Sequence, residues 1–385
     1  MSRPARSEEP SGGRRAVTDA RRLALEVLVR VDAGGAYANV ALPAALKGAD
    51  LDERDRAFAT ELVYGATRRR RALDWALDAF LISPPHPAAR AALRLGAYQI
   101  IELGTPPYAA VSATVAVTPR RHRSLVNAVL RKVGDRGPTE WPDDATRLSY
   151  PDWIVETLVD DLGRPAALAA LESMNAAART HRRDDGYVQD LSSQRVVAAI
   201  AARAGQVVAD VCAAPGGKAT ALAGCGAQVI ACDWNRSRVG LMEANRRAAG
   251  ADSMHLVAAD GRNPPLREGR FDVVLVDAPC SGLGTLRRRP DARWRITPSA
   301  VPRLARLQSE LLQAAVGLLR PGGQLVYSVC TLTEAETTAV AGRACRDRLE
   351  PLPPPPEPWL PHGDGAMLLP DADHDGMALF RWRRT

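Results

Sequence analysis

Several things this sequence does without narrow what it can be. Of its 51 basic residues only Lys47, Lys132 and Lys218 are lysines, so the formal charge of +7 rests almost wholly on arginine. Scattered arginines are ordinarily a solvated surface, and the bias also fits a GC-rich genome. Charge alone therefore leaves a polyanionic partner open. No run of eighteen apolar residues occurs, so no membrane-spanning helix is expected. The opening MSRPARSEEPSGGRRAV lacks the apolar core of a signal peptide; residues 1–16 are read as a disordered tail and the protein is placed in the cytoplasm, as a monomer. The six cysteines form no tight metal-ligand spacing, so no metal is expected, and reduced thiols suit that compartment. Neither GxGxxG nor a glycine frame ending in GKS or GKT is present. That removes the dinucleotide fingerprint and the magnesium-nucleotide loop.

What is present falls into two patterns, and 385 residues is long for one core. From 17 to 136 the pattern is helical, an all-α domain with no convincing strand. Thr18 or Asp19 can cap a helix through Leu23, Val27, Leu28 and Val31, ended by Gly34-Gly35. Asp52 can cap another with Phe58, Leu62 and Val63 on one face. RRALDWALDAFL, PAARAALRLGAYQII and SLVNAVLRKV continue the pattern, with SPPHP and GTPPY as proline breaks. Basic clusters punctuate it at Arg68 to Arg71, at Arg120, Arg121 and Arg123, and at Arg131 with Lys132. Three clusters in one small domain favour phosphate contacts. Residues 137–185 read as a helical connector and 186–385 as a second domain.

The second domain begins with VVADVCAAPGGKAT, a β-branched run followed by a turn of small residues, and continues through QVIACD, MHLVAAD, FDVVLVDAPC and QLVYSVC to a final MALFRWRR. Helical segments such as Asn235 to Ala249 and Pro302 to Leu319 separate the apolar runs. Such alternation predicts a parallel sheet covered on both faces, with ligands outside the carboxyl ends of its strands. Those ends carry Asp233, Asp260, Asp277, Cys280 and Cys330. The turn Cys212, Ala213, Ala214, Pro215, Gly216, Gly217 and Lys218 lets backbone amides approach a ligand closely. Asp233 is placed to take both hydroxyls of a ribose, and Asp260 to accept from an exocyclic amine. Trp234 can lie against an adenine face or belong to the core. Each aspartate taken singly can also be no more than a helix cap. An adenosine-type pocket without a phosphate grip fits S-adenosylmethionine better than NAD or ATP.

Two thiols, Cys280 and Cys330, at neighbouring strand ends are the most informative pairing; Cys212, Cys225, Cys232 and Cys345 are otherwise left structural. Carbon 5 of a pyrimidine is barely nucleophilic. A thiolate adding to carbon 6 makes the ring enamine-like, and such covalent catalysis splits one difficult step into easier ones. An acid must stabilise charge on the ring, for which Asp277 is the candidate, and a base must then take the carbon 5 proton.

CAAPGGK, Asp233, Asp260, DAPCSG, RRRPDARW and SVC, in this order, resemble the Sun/Fmu family of RNA 5-methylcytosine methyltransferases. The resemblance implies an S-adenosylmethionine-dependent methyltransferase domain of Rossmann-like α/β fold, with Cys330 as nucleophile and Cys280 assisting product release. LVYGATRRRR, LRLGAYQI and NAVLRKV resemble a NusB-like RNA-binding domain, which points to a small-subunit (16S) ribosomal RNA cytosine as substrate. Where family members carry a small RNA-gripping α/β subdomain, this chain has only ARTHRRDDG. It also has Val329-Cys330-Thr331 where Thr-Cys-Ser is usual. A transfer RNA enzyme of the same chemistry is the near alternative. A non-catalytic RNA-binding factor with a degenerate methyltransferase fold is the distant one. DNA cytosine methyltransferases use the proline-cysteine thiol and need no second one.

Overall fold

The computed structural model describes residues 19–32, 34–136, 140–344 and 347–385; the expected disordered tail, Thr18 and Cys345 lie outside them. The chain divides into two units, Met1–Glu140 and Trp141–Thr385.

The first unit is helical: α1 (Ala20–Asp32), α2 (Ala38–Lys47), α3 (Glu53–Arg68), α4 (Arg70–Asp78), α5 (Pro87–Ile101), α6 (Pro107–Val117) and α7 (Arg123–Asp135). Asp52 caps α3 by accepting from Asp55 N at 2.7 Å. Leu28, Leu62, Leu93, Leu95 and Leu130 fill a common core. The glycines inside LVYGAT and LRLGAY have a steric purpose. A Cβ on Gly65 would stand 2.0 Å from the Tyr98 ring, and one on Gly96 2.2 Å from the Leu130 side chain. Only a missing side chain lets these helices approach so closely. Arg94, buried in α5, is neutralised by Asp74 at 2.6 and 2.8 Å and by Asp32 at 2.6 Å. GTPPY, read as a break, does separate α5 from α6, and its last proline also starts α6, because proline suits the first helical turn.

The basic clusters differ in exposure. Arg68 is only 5% exposed and Arg69 pairs with Glu102 at 2.8 Å, so the run Arg68 to Arg71 is not an open phosphate-binding strip. Arg120, Arg121, Arg123, Arg131 and Lys132 are exposed.

In the second unit, β1 (Val207–Asp210), β2 (Gln228–Asp233), β3 (Met254–Ala258), β4 (Phe271–Asp277) and β5 (Leu319–Val329) form a parallel sheet in the order β3-β2-β1-β4-β5. Three short strands not anticipated from the sequence, β6 (Leu349–Pro351), β7 (Leu360–His362) and β8 (Gly365–Leu368), precede β9 (Met377–Arg384). β9 runs antiparallel to β5 and carries β8 and β7 beyond it; β6 also pairs with β9. The helices are α8 (Asp144–Leu148), α9 (Asp152–Leu162), α10 (Arg164–Ser173), α11 (Leu191–Ile200), α12 (Gly217–Gly224), α13 (Arg236–Ala248), α14 (Ala300–Leu318) and α15 (Thr338–Ala341).

Strand alternation sorts the core into two layers. Val274 and Val276 face one side with Ile154, Leu158, Leu171 and Leu311; Val273 and Leu275 face the other with Val196, Leu222 and Met242. Thus α8 to α10, from the stretch read as a connector, share a core with the sheet. The chain leaves β1 toward β2 and returns to β4 on its other side, so the strand order reverses between β1 and β4, where open sheets take ligands. No helix among the described residues is long and apolar enough to cross a membrane.

Candidate active site

The turn after β1 begins α12 with Gly216 at φ 102°, a left-handed conformation that glycine adopts without strain. Its carbonyls are held from outside by side chains that sequence reasoning missed. Arg238 Nη2 donates to Ala214 O at 2.6 Å and Asn245 Nδ2 to Pro215 O at 2.8 Å, both from α13. Arg183, from the ARTHRRDDG segment, donates to Gly217 O, to Thr220 Oγ1 at 3.1 Å and to Gln189 Oε1 at 2.9 Å. Cys212 contributes backbone, its N–H reaching Asp210 Oδ1 at 3.3 Å, and Ala213 N donates to Cys232 O at 2.8 Å. The turn is fixed before any ligand arrives.

The carboxylates differ from one another. Asp233 ends β2, 3% exposed, accepting from Asn235 N at 2.9 Å with Arg238 Nη1 3.5 Å away. Asp260 lies beyond the end of β3, exposed, and is taken up by Arg262, which donates backbone and guanidinium N–H groups to it and also reaches Glu310 at 3.3 Å. That hydrogen bonding holds Asp260 below the usual carboxylate range, and the geometry matches a turn cap. Trp234 is 73% exposed, which overturns a core role. Asp210, not singled out from the sequence, ends β1 fully buried with Oδ2 lacking any partner. Burial, then the nearby charge of Asp277, pushes it up to about 8, so it is a neutral acid at pH 7. An apolar run ending on an acid, the rule that finds Asp233 and Asp277, finds Asp210 equally well.

At the ends of β4 and β5 the two thiols meet, Cys280 Sγ 3.2 Å from Cys330 Sγ. Their loops are also joined by Gly284 N donating to Cys330 O at 3.0 Å. The sulfurs are not equivalent. Cys330 is lowered, first by the hydrogen bond from Cys280, with Lys218 and Thr285 helping against burial and Asp277. Cys280 is pushed well up, first by donating to Cys330 and then by burial. Of the two sulfurs, Cys330 is thus the one shifted toward the thiolate and Cys280 the one shifted toward the thiol. Beside the pair, Lys218 Nζ donates to Asp277 Oδ2 at 2.7 Å, and Ser328 Oγ to Asp277 Oδ1 at 2.6 Å. Burial works against the Lys218 charge, but Asp277 outweighs it and the ammonium is raised above its ordinary value. Asp277, the expected acid, accepts from both, and Lys218, expected only as part of the cofactor turn, is the cationic donor beside it.

A parallel sheet of this order, with acids and thiols at the carboxyl ends of its strands, is a Rossmann-like methyltransferase domain that follows an all-α NusB-like one in the sequence. Residues 197–356 match the family model described as 16S rRNA methyltransferase RsmB/F, and residues 18–135 match the NusB family. A ribosomal RNA small subunit methyltransferase B of Thermus thermophilus is 38% identical, over 95% of this chain and 98% of that one. A putative methyltransferase of Mycobacterium tuberculosis is 37% identical over 86% and 88%. The crystal structure of PH0851 shares the fold at a TM-score of 0.78 and 19% identity, covering 95% of this chain and 99% of that one. The chain belongs to the 16S rRNA methyltransferase RsmB/F family, as its motifs led us to expect.

Proposed function

We propose that this protein transfers a methyl group from S-adenosylmethionine to carbon 5 of a cytosine in small-subunit (16S) ribosomal RNA, through a covalent bond between Cys330 and carbon 6. The observation that carries the reading is the thiol pair: a sulfur lowered toward the thiolate, 3.2 Å from one kept protonated. The donor set fits the cofactor. Asp233 can take the ribose hydroxyls, and the backbone from Cys212 to Lys218 the adenosine and tail. When bound, the cofactor supplies a methyl group on a sulfonium.

The chain's own residues do the rest. Cys330 adds as thiolate to carbon 6, and the electron pair pushed into the ring is balanced by the proton held on Lys218 against Asp277. Carbon 5 then takes the methyl group. Bonding to carbon spends the Cys330 charge, which removes the leading cause that holds the Cys280 proton in place. Cys280 then gives up its proton to solvent and acts as the base: its thiolate takes the proton from carbon 5, the bond between Cys330 and carbon 6 breaks, the ring returns the proton drawn from Lys218, and the Cys330 thiolate is restored. The exposed Arg120, Arg121, Arg123, Arg131 and Lys132 of the helical unit supply phosphate contacts.

The two thiols predict opposite phenotypes. With a target RNA fragment and S-adenosylmethionine, Cys280→Ser should transfer methyl and then stall, leaving a protein–RNA band that survives denaturing electrophoresis. Cys330→Ser should give neither band nor methylation. A band in Cys330→Ser, or normal turnover in both variants, refutes the assignment.

A further inference from the structure

Glu336 has no part in the chemistry above, yet it lies fully buried in the turn that follows Cys330. A buried carboxylate is costly without partners. Its Oε1 accepts from Ser281 N at 2.8 Å and Gln308 Nε2 at 3.1 Å. Its Oε2 accepts from the hydroxyls of Ser281, of Thr333 at 3.1 Å and of Thr331 at 3.2 Å. Tyr327 OH holds its backbone carbonyl at 2.6 Å. Ser281 directly follows Cys280, and Thr331 directly follows Cys330. One side chain therefore fastens the backbone behind each thiol to a single point. All these donors are neutral groups, so the charge is solvated by dipoles and not cancelled. The cation of the site, Lys218, is bonded to Asp277 instead.

We propose that Glu336 is a positioning residue for the thiol pair: it ties Ser281 to Thr331, which fixes the sulfurs at hydrogen-bonding distance, and its negative charge keeps the shared proton on Cys280 and leaves Cys330 as the nucleophile. The inference rests on the thiol assignment given above and extends it to a residue that touches neither reacting atom. Opposite charges act on the two sulfurs. Glu336 adds to the hydrogen bond and burial that push Cys280 up, while Lys218 favours the thiolate of Cys330. Tyr327, which donates to Glu336 O and Gln308 Oε1, is pushed well up by burial and then by Cys280 and Glu336, so it remains a neutral donor.

Competitive alkylation tests this on the full chain, with limiting iodoacetamide, no RNA and no methyl donor, and the two peptides quantified by mass spectrometry. The wild type should label Cys330 first. Glu336→Gln keeps the volume and removes the charge, and the labelling ratio of Cys330 to Cys280 should fall about tenfold. An unchanged ratio in a variant that melts like the wild type overturns the proposal. If Glu336→Gln does not fold, Thr331→Val carries the test by cutting one tie and leaving the charge. It should still label Cys330 first, while kcat falls several-fold at unchanged KM for RNA; a wild-type kcat there overturns the proposal equally. Because labelling needs neither substrate, an unchanged ratio in Glu336→Gln overturns the role of Glu336 and leaves the methyl-transfer reading standing, whereas absence of the Cys280→Ser adduct strikes the thiol assignment on which both rest.

Discussion

Replacing Lys218 by Met removes an ammonium and keeps most of its stem. Nζ lies 2.7 Å from Asp277 Oδ2, and Lys218 is 8% exposed. A charge-assisted hydrogen bond of this kind contributes about 1.5–3 kcal/mol. The Asp277 side chain is 31% exposed, so water replaces part of the interaction and the lower end, about 1.5 kcal/mol, applies. Two consequences share a sign. The cation that favours the Cys330 thiolate is gone, and Asp277, no longer neutralised, opposes that thiolate more strongly. Since about 1.4 kcal/mol is a factor of ten, kcat/KM for methyl transfer at neutral pH should fall about tenfold. The acidic limb of its pH profile should move to higher pH, with activity partly recovered there. The assay is transfer of labelled methyl to a ribosomal RNA fragment across neutral and alkaline pH, with cofactor affinity measured in parallel. An unchanged kcat/KM, or a limb that moves to lower pH, would refute the reasoning.

Asp233→Ala should weaken S-adenosylmethionine by roughly 1.5–3 kcal/mol for each charge-assisted hydrogen bond removed; equal calorimetric affinity in a folded variant sinks that assignment. Asp210→Asn bears on stability. An acid raised to about 8 when folded keeps its proton while the unfolded chain loses its own above the ordinary carboxylate value, so wild-type stability falls as pH climbs from about 4 to 8 and is level beyond. The Asn variant escapes that loss, and its melting-temperature advantage without cofactor should grow through this window; a pH-independent difference contradicts the buried-acid reading. Replacing Arg120, Arg121 and Arg123 together by Ala should flatten the salt dependence of RNA binding, by up to about 0.9 in log–log slope for each phosphate that is no longer neutralised. An unchanged slope makes them ordinary surface.

The strands that carry the chemistry were legible because each is a β-branched run ending on a reactive residue, as in FDVVLVDAPC and QLVYSVC. The sequence does not say where a helix turns its charges, so Arg68 counts toward a basic cluster and yet is buried. Pro43 inside α2 and the prolines that start α6 hid two helices. β6 to β8 are too short to show alternation. Partnerships across the fold were the least accessible: Lys218 and Asp277 are separated by 59 positions, and Ser281 and Glu336 by 55. Neither pair leaves a local pattern, because sheet register and helix packing bring the groups together.

β9 is the last strand of the sheet to be synthesised, and it sits inside it. Gln324 to Ser328 of β5 pair on one side with β4, and Gln324 to Val329 on the other with Arg383 to Ala378 of β9. Until β9 leaves the ribosome, the strand that delivers Cys330 presents an open row of amides. The helical unit, with a core of its own, is complete long before. Birth order therefore sets competence: the part read as gripping RNA matures first, and the strand of Cys330, the proposed nucleophile, acquires its second neighbour last. A nascent chain arrested ahead of Met377 should hold a protease-resistant helical unit while Cys330 alkylates without the selectivity of the finished enzyme; selective labelling in such a chain would show that β9 is dispensable to the site.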